Sequence, residues 1–577
     1  MSTPSVLLPS CSNWTPGTPV CGRQGRKACG NCKLVVYCDS DCQRTHWPKH
    51  KILCRSPMTK DHWRPSWDRE GRVPPWASGV ASTNWHNAFG GSKYLWGNTP
   101  AVDILNLERN EGVSYKENIA LLLAASGDLR HVVKTIASLP DNLTQHLNVT
   151  MNDIEFDVVA RNTILLLLAL TTQDSTTIET FNTPLSIAEA LVHVWYSASI
   201  PASVLSLLQD RVKPLITEVC CKFAKEPPTT TLSHTWEFPN GRTLRLILKQ
   251  KDWFRLADFL DVPQDLSFED AAAIRRAVTL APDRLDYRDR WYFKDASPFM
   301  RIAKQKFQED GILIPFGHPQ IAFDTPNPTF FQGQRIWPLD DKADPSSGWP
   351  ILDVQKISSP ALRDWYGKLF IYIYNMMDKF LNRLQTVRIG LVLYNVDARE
   401  LPKHLERNKY TRIEVANICD GGYIGIQNTL SLLSPFLQTP RQNPHATFIT
   451  LFINAVKEAV KWGNPMDETP NMQFLTKYLP VPQTLSMNDA DMLRIWDARD
   501  LALDVEKFFK RYMAVTKFEK FSVDLGVEKK KSNTIVEKWP TQLKLKAGQK
   551  DAEEEFRLNL GSGFTNIERY VEWRRLR

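Results

Sequence analysis

Cysteine and histidine side chains are concentrated at the start of this chain, in spacings that suit metal coordination. Cys29 and Cys32 are separated by two residues, which places both thiols on one tight turn. Cys38 and Cys42, like His50 and Cys54, are four positions apart and share one face of a helix. A looser pair precedes them, with nine residues between its members: Cys11 and Cys21. Four pairs supply eight ligands, enough for two closed tetrahedral Zn²⁺ sites, and closed sites are structural rather than hydrolytic.

One ligand position has two candidates by spacing alone. Cys42, His46, His50 and Cys54 follow one another at intervals of four residues, so all four fall on one helical face. Either histidine is therefore compatible with a zinc site in this helix. Ordinary buried thiols are the alternative for the whole cluster, and paired spacings of this kind favour zinc.

The segment from Cys29 follows the pattern C-x2-C-x5-C-x3-C-Q-x3-W-x2-H-K-x2-C, which resembles the second half of a MYND-type zinc finger. The ligands of that family alternate between two ions, and the resemblance therefore implies His50 rather than His46. It implies one zinc held by Cys11, Cys21, Cys38 and Cys42, and another by Cys29, Cys32, His50 and Cys54. The chain departs from the family in its first pair, which is usually separated by two residues rather than nine. The resemblance further implies a protein-interaction module that takes proline-containing peptides.

The charge of the predicted finger does not favour nucleic acid as its partner. Seven basic residues precede Cys54 against two acidic ones, but seven thiolates and two Zn²⁺ ions add about −3 to that sum. The whole chain of 577 residues carries a net charge of only +8. A transcription regulator whose finger contacts DNA is therefore an alternative that the sequence disfavours.

Composition predicts a soluble globular protein of several domains, because 43% of the residues are hydrophobic and 24% are charged. The longest apolar stretch, Ile164–Leu170, is far shorter than the ~20 residues of a membrane span, and the start has no secretory signal pattern. We expect the protein in the cytosol or nucleus, where clustered cysteines are metal ligands rather than disulfides.

Three segments follow a strand–turn–helix pattern that predicts an α/β fold with a Rossmann-like, mostly parallel sheet flanked by helices. The predicted strands are Ile119–Ala125, Leu147–Met151 and Ile413–Ile418, each followed by a polar turn and a helix. The loops at the carboxyl ends of parallel strands converge at a crevice. The candidate cofactor-binding residues of this crevice are Gly127, Asp128, Asp153 and Asp420.

A glycine turn after one strand and an acid after the next are features of class I methyltransferases, which bind S-adenosylmethionine. The turn here is Ala-Ser-Gly-Asp, with one glycine where close approach to a cofactor normally calls for two or three. Asp128 and Asp153 also suit a simple role as helix N-caps. A methyltransferase-like enzyme, or a degenerate relative of one, is therefore an alternative to a binding protein. The chain has no late Cys-x-Cys cluster of the kind that SET-domain methyltransferases carry.

Longer segments resemble a second family. "LWGNTPAVDILNLERNEG", "GDLRHVVKTIASLP", "NDIEFDVVARN" and "RIEVANICDGGYIG" are similar to the uncharacterised domain that accompanies MYND fingers in many fungal proteins. That domain is related to the amino-terminal domain of the third dynein axonemal assembly factor. The resemblance covers about residues 90–225 and 360–470, and it implies no particular chemistry.

The predicted organisation has six parts. Helices are expected at Trp365–Leu384 and Thr447–Trp462 from their periodicity. The parts are a finger (1–56), a Trp/Pro-rich linker packed on the next domain (57–98), a Rossmann-like first half (99–225), an irregular insertion (226–350), an α-rich second half with a further strand–helix unit (351–520) and a basic C-terminal tail (521–577). Together these features predict a zinc-binding adaptor whose finger recruits a protein or peptide.

Overall fold

The computed structural model describes residues 9–77, 88–171, 177–178, 185–294, 297–332 and 335–577. Its strands, in chain order, are β1 (Lys27–Ala28), β2 (Val36–Tyr37), β3 (Ile119–Ala124), β4 (Leu147–Asp153), β5 (Thr177–Ile178), β6 (Leu185–Ser186), β7 (Ser199–Ile200), β8 (Thr231–Phe238), β9 (Arg242–Lys249), β10 (Thr325–Pro326), β11 (Ile389–Asn395), β12 (Arg412–Glu414), β13 (Thr447–Phe452), β14 (Val527–Lys529) and β15 (Arg569–Arg575).

Helices account for most of the remaining regular structure. They are α1 (Ser40–Cys54), α2 (Ser66–Glu70), α3 (Arg130–Ala137), α4 (Phe156–Leu170), α5 (Ile187–Tyr196), α6 (Ala202–Arg211), α7 (Lys213–Phe223), α8 (Gln250–Asp258), α9 (Phe268–Thr279), α10 (Leu285–Lys294), α11 (Pro298–Asp310), α12 (Ile351–Gln355), α13 (Trp365–Thr386), α14 (Ile426–Leu433), α15 (Ala455–Lys461), α16 (Met472–Leu475), α17 (Ala490–Asp497), α18 (Val505–Val515), α19 (Phe518–Asp524) and α20 (Ala552–Gly561). Within the described ranges, no helix combines the length and the apolar character that a bilayer crossing requires.

The centre of the molecule is a nine-stranded sheet in the order β14-β15-β13-β12-β3-β4-β11-β9-β8. The six strands from β13 to β9 are parallel, and residues Leu121, Val149 and Leu391 lie side by side on β3, β4 and β11. Every residue of β3 is buried, as expected of a parallel strand covered by helices on both faces. The prediction of a mostly parallel α/β sheet flanked by helices is confirmed.

The two edges of the sheet come from segments that the sequence did not predict as strands. β8 and β9 form an antiparallel hairpin within the stretch expected to be an irregular insertion, and β9 extends the parallel sheet beside β11. β14 and β15 lie in the expected basic tail, and β15 runs antiparallel between β13 and β14. Both expectations were wrong, because long-range strand pairing decides the conformation of these segments.

The helix predicted over Thr447–Trp462 is a strand followed by a short helix. β13 is the hexapeptide TFITLF, all of it buried, and α15 begins only at Ala455. A strand buried on both faces has no alternating pattern, so periodicity does not separate it from the apolar face of the helix that follows. The helix predicted from Trp365 is present and continues to Thr386 as α13.

The finger and the linker pack on the sheet domain. Leu34 and Val35 of the finger belong to the same buried apolar cluster as the central strands. Trp63, Trp67 and Trp76 of the linker form a smaller cluster with Tyr292 and Phe293 of α10. These contacts support the prediction that the linker lies against the next domain, whereas Trp85 falls outside the described residues.

Candidate metal centre

A short hairpin and one helix position the eight predicted ligands. Cys29 and Cys32 lie on the turn that joins β1 to β2, and Cys38 directly follows β2. Arg26 donates its backbone N–H to the carbonyl of Tyr37 across this hairpin. The helix α1 then begins after Asp39, whose carboxylate accepts the N–H of Cys42 at 2.8 Å as an N-cap. The cap fixes the first turn of α1 and therefore the direction of the Cys42 side chain.

The first group of ligands is formed by Cys11, Cys21, Cys38 and Cys42, with all four Sγ atoms within 4.8 Å of one another. The Sγ atom of Cys38 lies 3.8 Å from that of Cys21 and 3.4 Å from that of Cys42, and the Cys21–Cys42 separation is 3.7 Å. Zn–S bonds of about 2.3 Å in a tetrahedron imply sulfur separations of about 3.8 Å. The donor set and its geometry therefore fit Zn²⁺.

The second group contains Cys29, Cys32, His50 and Cys54, and all four residues are buried. Cys29 and Cys54 have their Sγ atoms 3.9 Å apart, and His50 directs Nε2 towards the Sγ atom of Cys32 at 3.4 Å. Two groups of four Cys/His donors match the prediction of two zinc sites, which is confirmed.

His46 lies next to this group without entering it. Its ring stacks on that of His50 at 5.9 Å, and its Nδ1 atom is 3.0 Å from the hydroxyl of Tyr37. The structure thus places His50 among the cysteines and His46 outside them, as a neighbour that packs against the ligand.

Burial determines the protonation state of the ligand side chains in the absence of bound zinc. It lowers the pKa of His50 to about 4, so the imidazole is neutral at physiological pH and offers a lone pair to the ion. Burial also raises the pKa of the Cys32 thiol above its ordinary value, so Zn²⁺ must displace the proton from a thiol. Metal binding therefore releases protons, and the bound ions would supply much of the folding free energy of so small a finger.

Polar groups around the ligands were not identified from the sequence. Asn31 donates its side-chain amide to the Sγ atom of Cys54 at 3.2 Å, and the backbone N–H of Leu34 lies 3.5 Å from the Sγ atom of Cys32. Arg23 approaches the Sγ atom of Cys42 at 3.7 Å. Such donors stabilise thiolate charge and orient the ligands. The position of Asn31 between two ligands was the available signal for its role.

The candidate cofactor residues lie at the carboxyl edge of the sheet, where the structure gives their carboxylates internal partners. Asp153 accepts the backbone N–H of Gly127 at 3.0 Å, so the loops after β3 and β4 do meet. Asp128 accepts the N–H of Gly97 and pairs with Arg130 at 2.5 Å.

Asp420, on the loop after β12, accepts the backbone N–H groups of Ile453 and Asn454. Each of the three carboxylates thus accepts hydrogen bonds from backbone N–H groups of the protein itself. Cofactor binding by this crevice stays a prediction.

The comparisons with known proteins concern two limited parts of the chain. A family model described as the MYND finger matches residues 19–54, and one described as a domain of unknown function, DUF4470, matches residues 95–200. Cys11 precedes the matched range, although the structure places it among the ligands. No solved structure matches the chain.

Two kinds of relative share short segments with the chain. Dynein axonemal assembly factor 3 of Danio rerio is 40% identical over 79 residues, which are 14% of this chain and 16% of that protein. N-lysine methyltransferase SMYD2 of Bos taurus is 46% identical over 46 residues, 8% of this chain and 10% of that protein, and the likeness is confined to the finger. The human protein of that name is 44% identical over 46 residues. The chain therefore carries a zinc-binding MYND finger, a type of protein-interaction module, and a DUF4470 domain.

Proposed function

We propose that this protein is an adaptor, in the cytosol or nucleus, whose finger recruits a protein or a proline-containing peptide to the α/β domain. The observation that carries the proposal is the closed coordination of both zinc sites. Eight protein ligands leave no position for water or substrate, so the zinc ions hold a surface in shape rather than perform hydrolysis.

The outer face of α1 is a surface that the other described residues leave uncovered. Ile52 is 70% exposed and Leu53 44% exposed, although both are large apolar side chains. Lys49, Lys51 and Arg55 surround them and are exposed as well. Apolar side chains ringed by polar ones are typical of a protein-interaction surface. We refer to Lys49, Lys51, Ile52, Leu53 and Arg55 as the outer face of α1.

The finger is held at a fixed place on the body, which suits an adaptor. Trp14 donates its indole N–H to the carbonyl of Gly317 at 3.0 Å, and the backbone N–H of Arg363 donates to the carbonyl of Lys33 at 3.2 Å. A partner bound to the outer face of α1 would therefore have a defined position relative to the sheet domain.

The test is peptide selection on the full-length, zinc-loaded chain. We expect enrichment of proline-containing peptides, with an affinity that Ile52→Glu weakens at least tenfold because it introduces a charge into the apolar part of the surface. Val523→Glu is the matched control, since Val523 is 72% exposed on α19 and is not part of the finger. Equal binding by Ile52→Glu and the control, or no selection of proline-containing peptides, would contradict the proposal.

A methyltransferase-like activity is the second candidate, and the strand order supports it. With the hairpin β8–β9 set aside, the sheet strands numbered by their order along the chain run 6-7-5-4-1-2-3, with the last strand antiparallel between the fifth and the sixth. Class I methyltransferases arrange their sheet in this order. Fold alone does not establish activity. In the loop after β3, the backbone N–H of Gly127 already donates to the carboxylate of Asp153.

Thermal unfolding with S-adenosylmethionine tests this candidate. A class I site predicts stabilisation by the cofactor that Asp153→Asn reduces, because a ribose bound there would take the place of the Gly127 N–H at this carboxylate. No stabilisation would contradict this candidate, and stabilisation that the variant leaves unchanged would contradict the role of Asp153 in it.

A further inference from the structure

A cavity of about 340 Å³ lies between α11, α12, the start of α13 and α20. Its volume is within the range of small-ligand sites. Part of its wall is apolar, formed by Met300, Ile351, Leu362, Trp365 and Leu558. The predicted zinc ligands and the candidate cofactor residues do not line it.

The charged residues of this cavity are unbalanced. Four cationic side chains and one carboxylate, Glu554, line it, and one of the four, Arg557, is also paired with Glu553 at 3.5 Å. The cationic residues are Lys304, Arg363, Lys368 and Arg557. Like charges around one small volume repel one another, so an anion placed among them would be strongly attracted.

Lys368 is the most unusual of these residues. It is only 5% exposed, and its ammonium donates to the backbone carbonyl of Gln355 at 2.9 Å and to the side-chain carbonyl of the same residue at 3.4 Å. Among the described residues no carboxylate lies within 4.0 Å of it. Burial lowers its pKa, and the more distant charges of Glu554 and Asp364 offset only part of that shift.

The nearest acids, Glu554 and Asp364, attract the ammonium of Lys368 at longer range but are not bonded to it. Asp364 caps α13 and accepts the N–H groups of Phe316 and Gly367, and burial raises its pKa to about 7. Glu554 accepts a hydrogen bond from the side chain of Gln355. Within the described part of the chain, the ammonium of Lys368 thus has carbonyl partners but no carboxylate within hydrogen-bond distance.

We propose that this cavity binds a compact phosphate-bearing anion. Phosphate oxygens accept charge-assisted hydrogen bonds from ammonium and guanidinium groups, which Lys368 and Arg557 provide. The apolar wall would contact the carbon skeleton that carries the phosphate. This site is independent of the proposed adaptor function.

The same cavity adjoins the zinc finger through Arg363. The guanidinium of Arg363 donates to the carbonyl of Asn31 at 3.3 Å, and Asn31 lies between the ligands Cys29 and Cys32. A guanidinium has five N–H donors, so Arg363 can hold the finger and an anion together. Anion binding would therefore fix the junction between the finger and the body.

The test is calorimetric titration of the full-length, zinc-loaded chain with inorganic pyrophosphate at low ionic strength, with zinc content measured alongside. We expect binding that Lys368→Met weakens about tenfold or more, because it deletes a charged donor while keeping the length of the side chain. Lys356→Met is the matched control and should bind like the native chain, since Lys356 is 77% exposed by its side chain and does not line the cavity.

Arg557→Gln is a second variant that should fold normally, because Arg557 is an exposed residue of the cavity wall. We expect it to weaken pyrophosphate binding about threefold. Pyrophosphate should also slow hydrogen exchange at residues 29–33 in the native chain but not in Arg363→Gln. Equal affinity of Lys368→Met and Lys356→Met, or an effect that sodium chloride reproduces at matched ionic strength, would overturn the proposal. If pyrophosphate slowed hydrogen exchange at residues 29–33 equally in Arg363→Gln, the proposed coupling between the cavity and the finger would be overturned.

Discussion

At the scale of single residues, the two neighbouring histidines of α1 make the sharpest prediction. His50→Ala should reduce the zinc content of the purified chain from two equivalents to about one, because it removes a ligand from a closed site with three thiolates. His46→Ala should retain both equivalents, since His46 contacts Tyr37 and the ring of His50 rather than the metal position. Elemental analysis after gel filtration measures both.

Each variant serves as the experimental control for the other, because His46 and His50 are one helical turn apart and both pack beside Tyr37. If His46→Ala lost one equivalent of zinc while His50→Ala kept both, the assignment of the ligand would be wrong. Circular dichroism on both variants would separate a lost ligand from a lost helix.

The ligand residues were also the part of the molecule that sequence reasoning identified best. Ligands that share a turn or a helical turn are fixed by local spacing, as with Cys29 and Cys32, and need no knowledge of distant contacts. Arg363 could not be recognised in this way. Its contact with Asn31 joins segments more than 300 residues apart.

At the scale of secondary structure, the local sequence pattern predicted the central strands of the sheet but did not predict the strands at its two edges. β3 is an uninterrupted apolar run before a polar turn, and β4 follows the same arrangement, so both were found with nearly correct bounds. Strands of this kind are covered by helices on both faces and need no alternation.

β15 shows why the edges could not be predicted. Its sequence RYVEWRR carries four charged residues, which is typical of a solvated tail. In the fold, Glu572 is buried and accepts the backbone N–H groups of Thr534, Ile535 and Val536, while Lys530 pairs with it at 3.1 Å. A charge with this many partners is compatible with a buried strand, but the partners are about 40 residues away in sequence.

At the scale of the whole molecule, the finger and the sheet domain share one continuous core rather than a flexible connection. Leu34 and Val35 of the finger are in the same buried cluster as Phe316, next to Gly317. Ser12 contacts this point as well, and its hydroxyl accepts the N–H of Val36 at 3.2 Å. The orientation of the zinc sites relative to the sheet therefore depends on a few close contacts around Gly317.

Gly317→Ala should loosen this junction without removing zinc. A Cβ atom at this position would lie 1.9 Å from the Oγ atom of Ser12, which cannot turn away without losing its bond to Val36. We expect two zinc equivalents to remain, stability to fall by about 1–3 kcal/mol and hydrogen exchange at residues 31–36 to accelerate. Gly422→Ala is the matched control, because a Cβ atom there meets no atom within 4 Å. If exchange in the finger were the same in both variants, this contact would not be what holds the finger on the body, and its fixed position would have to come from other contacts, such as those of Trp14 and Arg363.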